Sequence, residues 1–156
     1  MAKDVRSWRL EIDEFMDEEV VGEAVDVQKR IMAYLLTQVV QITPVGDKST
    51  WKRNQGKPAN KQLPKGYVGG HARKNWQITI NQPAKTQVTG EDRGGNQTIQ
   101  RGLRSIANIK EPTVAYLSNL LPYMDRLENG WSRKQAPQGI VRPALQQLRQ
   151  KFGLNK

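Results

Sequence analysis

The amino-acid sequence predicts an α+β fold in which a long N-terminal helix and C-terminal helices pack on a small, mainly antiparallel sheet, with a long basic loop inserted between them. Three patterns carry that expectation. Apolar residues recur at three-and-four spacing from Trp8 to Val39, alternate with polar ones in NWQITIN (75–81), and return to helical spacing from Ile140 to Leu148. At 156 residues the chain is one domain's worth, divided into a helix (1–42), a basic loop or insertion (43–74) and a core of sheet and helices (75–156). A hydrophobic fraction of 37% limits that core to a small size for the length.

The first helix is capped by Asp4 or Ser7 and stopped by Thr43-Pro44. Its expected inward positions are Trp8, Ile12, Phe15 with Met16, Val20, Ala24, Val27, Ile31, Tyr34 with Leu35, and Val39. Charge divides sharply along the chain. Residues 1–33 hold nine acids against five bases, whereas the remainder holds six acids against twenty. Such asymmetry points to a match between segments or subunits, or to a basic surface that meets a polyanion.

Glycine and proline punctuate Thr43 to Arg73, and eight bases stand against Asp47 alone between Thr43 and Asn75. Trp51 and Tyr67 interleave with Lys48, Lys52, Arg53, Lys57, Lys61 and Lys65, an arrangement suited to phosphates and exposed bases, so these six cations are the expected DNA-facing residues. Beyond the loop, Trp76, Ile78 and Ile80 give a strand with one buried face, and Gln87-Val88-Thr89 a weaker second one. Thr98 is placed to cap a helix through Ile109, with Ile99, Leu103, Ile106 and Ala107 inward. After Pro112 a strand (Thr113, Val114, Tyr116) leads to a short helix from Pro122, closed by Asn129-Gly130. The last helix carries Ile140, Val141, Ala144, Leu145 and Leu148 as one stripe.

Several function classes lack their chemistry. With no cysteine there is no disulfide framework, thiolate nucleophile or thiolate metal site. One histidine, His71, leaves zinc short of ligands, and the acids lie mostly along the first helix rather than converging as a magnesium site requires. Gly94-Gly95 lacks the Gly-Lys-Ser/Thr of a phosphate-binding loop. No apolar run approaches the ~20 residues that span a bilayer, and the acidic N-terminus lacks the apolar core of a signal peptide. A non-enzymatic chain with no cofactor, metal or membrane partner is the expectation.

The stretch from Thr113 to Leu148 carries a resemblance. Tyr116 to Asn119 as a strand end, then Leu121-Pro122-Tyr123, Leu127-Glu128-Asn129-Gly130-Trp131-Ser132 and Gln135-Ala136-Pro137 with Gly139, resemble the tail-completion or neck proteins of long-tailed bacteriophages, related to minor tail protein Z of lambda-like phages. That family also joins a Thr-Pro-Val ending its first helix to a Gly-x-x-Arg-x-x-Trp opening its first strand. Thr43-Pro44-Val45 and Gly70, Arg73, Trp76 match those ends, with the basic segment inserted where a short turn is expected. The resemblance covers roughly residues 31–152 and implies a virion component, assembled in the host bacterial cytoplasm, that forms a ring of six copies at the head-proximal end of the tail. Its partners would be the tail terminator or tail tube protein and the head connector, with DNA passing through the lumen. The expected subunit or partner interface is Trp8, Phe15, Glu128, Trp131 and Gln135; the Glu128 carboxylate, at a helix C-terminus, calls for a backbone amide or an Arg of the following loop as partner, or for Arg133, Lys134 or Arg142 of a neighbouring subunit. The alternative is a sequence-independent nucleic-acid-binding protein working through the basic loop.

Overall fold

Leu36, Val39 and Val40 are fully buried and mark the side of the first helix on which the rest of the chain is laid. The computed structural model describes residues 20–46 and 68–154. Their elements are α1 (Val21–Ile42), α2 (His71–Lys74), β1 (Gln77–Ile80), α3 (Asn96–Ala107), β2 (Ala115–Ser118), α4 (Met124–Glu128) and α5 (Val141–Lys151). The α+β class is as predicted: β1 and β2 form a two-stranded antiparallel sheet, pairing Ile78 with Leu117 and Thr79 with Tyr116. Helices α3 and α5 pack on α1, and α3 also lies against β1. None of the described helices is long and apolar enough to cross a membrane.

The expected face of α1 holds at Val39, which is buried as predicted, and is corrected by about one residue nearer the start of the helix. Val25, Met32, Leu36, Val39 and Val40 are buried, while Val20 and Val27 are 46% and 49% exposed. The helix carries two adjacent apolar rows, and close approach to α3 selects between them. A Cβ on Gly102 would overlap the Leu36 side chain, so the absence of a side chain there lets the two helices meet. A mid-helix glycine costs about 1 kcal/mol relative to alanine, which this contact offsets. The predicted positions Trp8, Ile12 and Phe15 lie outside the described residues.

The end of α1 is held by the first strand's approach. Thr43 leaves the helix with ψ 124°, as the residue before a proline must, and its hydroxyl donates to Val39 O. The buried Trp76 indole donates to that same hydroxyl at 2.7 Å. Arg73 reaches the carbonyls of Gln41 (3.1 Å) and Thr43 (2.9 Å) at the end of α1 and also Arg93 O (2.7 Å). Burial lowers the Arg73 pKa from its ordinary value; the Asp92 carboxylate opposes that shift and Arg93 adds to it. Arg101, lowered likewise by burial, donates to Lys74 O and Trp76 O and ties α3 to the start of β1.

Three further sequence expectations are corrected. Gln87-Val88-Thr89 is not a strand; its backbone pairs at Val88 with the buried Asn75 side chain, which donates to Val88 O and accepts from Val88 N, both at 2.8 Å. A side-chain amide thus takes the place a neighbouring strand would fill. Thr98 is not the cap of α3 but a buried residue in its first turn. The cap position is Gly95, and the capping bonds come from Asp92, whose carboxylate accepts from Gly95 N, Thr98 N and the Thr98 hydroxyl at 2.8–3.0 Å. On α3 and α5, Ala107 and Leu145 face outward; the core is completed by Ile106, Ile109, Ile140, Ala144 and Leu148.

Candidate interface site

The residues of the resemblance converge on the corner between α4 and α5. Helix α4 ends where Gly130, at φ 76°, donates to Leu127 O (3.2 Å) and Trp131 N donates to Arg126 O (3.0 Å). This is a Schellman ending, with glycine in the left-handed position it tolerates best. A Cβ on Gly130 would also overlap Pro137 O, so the turn and the following loop press together.

Glu128 closes the corner. Its carboxylate accepts from Ile140 N and Val141 N at 2.8 Å and from Arg142 N at 3.2 Å, and so caps α5 from a residue in the preceding helix. Negative charge at a helix N-terminus also complements the dipole. Gly139 makes this possible: its φ is 87°, and a Cβ there would overlap Glu128 O. Both oxygens of Glu128 are engaged by the chain's own amides. The partner within the chain is therefore backbone, as one of the two expected alternatives had it, with Arg142 contributing through its N–H.

Gln135 is engaged within the chain as well. Its amide accepts from Val45 N and donates to Val45 O, each at 2.9 Å, copying the two bonds of a strand pair across ninety positions of sequence. It thereby fastens the loop leaving α1 to the α4–α5 corner. Gly69 packs so closely on Gly46 O that a Cβ would overlap it. The described residues that flank 47–67 therefore meet in space. Lys48, Lys52, Arg53, Lys57, Lys61 and Lys65 lie outside the described residues.

Trp131 is treated differently from its neighbours: it is 72% exposed, with the Arg126 guanidinium 5.6 Å from its ring centroid. It stands on one wall of a cleft of about 940 Å³. Pro44 and Val45 of the stem, Tyr123 and Leu127 of the corner and Ala72 of α2 give this cleft an apolar lining; Arg126, Arg133 and Lys134 supply positive charge, against Glu91. His71 also lines it, its ring Nδ1 2.7 Å from Gly90 O. Of the five predicted interface residues, Trp131 and Gln135 border this cleft, Glu128 does not line it but caps α5, and Trp8 and Phe15 fall outside the described residues. Sequence reading missed Tyr123, Arg126 and Leu127 as lining residues. Their spacing on α4 was the available signal, since positions three and four apart share a face.

Comparison of the chain with protein-family models, with curated proteins and with solved structures finds no match. Among the described residues no group of three or more His, Cys, Asp or Glu is arranged to hold a metal ion.

Proposed function

We propose that the chain is a structural component of a phage tail: a tail-completion or neck protein that forms a ring, of six copies, at the head-proximal end of the tail and joins it to the head around the DNA channel. One face would dock on the tail terminator or tail tube protein and the other on the head connector. Assembly takes place in the host bacterial cytoplasm, and the assembled protein stays in the virion neck. The reading assigns the chain no catalysis, cofactor or metal.

The observation that supports it best is the division of labour in the α4–α5 corner. Glu128, Gly130, Gln135 and Gly139 are used up in fixing the corner, while Trp131 is held out to solvent at 72% exposure beside an apolar cleft. A large aromatic side chain presented on a rigid mount is the usual anchor of a protein interface. The matched residues thus make sense as a scaffold for one contact. Heterologous contacts of this kind close into rings when the rotation per subunit allows.

A second reading, a sequence-independent nucleic-acid binder, is favoured by the positive charge of Arg126, Arg133 and Lys134 beside the stems of the basic loop. Solution mass by light scattering, with and without tail tubes of the phage that encodes the chain, separates the two. A discrete ring recruited to the tubes is expected. Failure to bind tubes, together with salt-sensitive retention of any duplex, would replace the neck reading with the second one.

A further inference from the structure

The cleft has two requirements of an occupant, apolar side chains and negative charge, and one stretch of this chain meets both. We propose that the cleft beside Trp131 receives residues 4–19 of a second copy of the chain. That stretch carries Asp4, Glu11, Asp13, Glu14, Asp17, Glu18 and Glu19 with only Arg6 and Arg9 as bases, and offers Trp8, Ile12, Phe15 and Met16 as apolar anchors. The cleft answers with Leu127, Tyr123 and Val45 inside and Arg126, Arg133 and Lys134 around them. Duplex DNA would use the charges through its phosphates and leave the apolar lining without a partner, which is why a peptide is the better match.

Position favours a neighbour over the chain's own segment. Pro44 and Val45, past the C-terminal end of α1, line the cleft, whereas residues 4–19 join the chain at the N-terminal end of that helix. The 22 residues of α1 separate the two ends by about 33 Å at ~1.5 Å per residue. The start of one copy meeting the far end of the next is a head-to-tail contact, the type that repeats around a ring. The inference rests on the assembly reading above and names the surfaces that would join.

The chain has no cysteine, so single-cysteine variants report contact cleanly. Full-length Glu14→Cys and Lys134→Cys proteins, distinguished by tag size, are mixed in equal amounts and mildly oxidised. The mixed disulfide dimer is expected to exceed either like-with-like dimer by about tenfold at ~0.05 M salt and to fall when salt is raised to ~0.5 M. Adding Trp8→Ala with Phe15→Ala to the first protein, or Arg126→Glu with Arg133→Glu to the second, should reduce it to background while circular dichroism stays unchanged. Equal amounts of the three dimers would overturn the proposal. So would ring closure within one chain carrying both cysteines at high dilution, which would make the occupant its own segment. Loss of the cross-link on adding duplex DNA, with no effect of the aromatic substitutions, would overturn it in favour of nucleic acid. Recruitment to tail tubes without the cross-link would sink this contact and leave the neck reading standing; the cross-link without recruitment would do the reverse.

Discussion

Replacing Glu128 by Ala removes the partner of three backbone amides at the start of α5: Ile140 and Val141 at 2.8 Å and Arg142 at 3.2 Å. Their surroundings set the magnitude. Ile140 is fully buried, so its N–H loses the carboxylate without gaining water, a loss of about 1–3 kcal/mol. Val141 and Arg142 are progressively more exposed, and there the loss is nearer that of an ordinary helix cap, about 1 kcal/mol, with a few tenths more for the missing charge at the dipole. Together the change is about 2–4 kcal/mol. Glu128→Gln keeps one acceptor oxygen in place and gives up the charge, so about half of that loss is expected. In urea unfolding, with a slope of ~2 kcal/mol per molar, the midpoint falls by about 1–2 M for the Ala variant and by about half as much for Gln. A shift below about 0.3 M for Glu128→Ala would refute the capping role, because no partner loss of this kind is so small.

Other substitutions test the remaining joints. Gly102→Ala improves intrinsic helix propensity by about 1 kcal/mol, yet it forces a methyl into the fully buried Leu36, so a net destabilisation of about 1–2 kcal/mol is expected. Combining it with Leu36→Ala should recover at least ~0.5 kcal/mol relative to the sum of the single changes; strict additivity in urea midpoints would argue against the contact. Arg73→Lys leaves a single ammonium where a planar fork served Gln41 O, Thr43 O and Arg93 O, and should lower stability by about 1–3 kcal/mol, with faster amide exchange in the last turn of α1. Unchanged exchange there would show that the α1 terminus is held by Trp76 and Thr43 alone.

The elements with strong periods were legible: the described part of α1, with β1, α3 and α5, occurs where the apolar spacing predicted it, and Gly130 ends α4 as a glycine after a short helix should. What escaped was the place each side chain reaches when its partner is a distant stretch of backbone. Asp92 caps α3 from outside it, Asn75 stands in for a strand opposite Val88, Glu128 caps a helix that starts thirteen residues later, and Gln135 pairs with Val45. Such bonds have no sequence period, and they depend on folds of the chain that only packing fixes. The shifted face of α1 has a related cause. Val20, Val27 and Ile31 are apolar like Val25, Met32 and Leu36, so the sequence offers two neighbouring rows, and contacts such as that of Leu36 with Gly102 are made only by the second. Within the site, the resemblance drew attention to Glu128 and Trp131 together. The geometry assigns them opposite tasks, one holding the corner and the other facing outward.

The assembly role of that corner is tested most directly by Trp131→Ala, read for stability and for recruitment in the same preparation. At 72% exposure the indole contributes little to the fold, so the urea midpoint should move by no more than the equivalent of about 0.5 kcal/mol. Light scattering with tail tubes should meanwhile show the discrete ring lost or its affinity reduced at least about tenfold, the signature of an interface anchor. Rings that form on the tubes as well as before would contradict the proposal that this corner exists to present Trp131 to a partner.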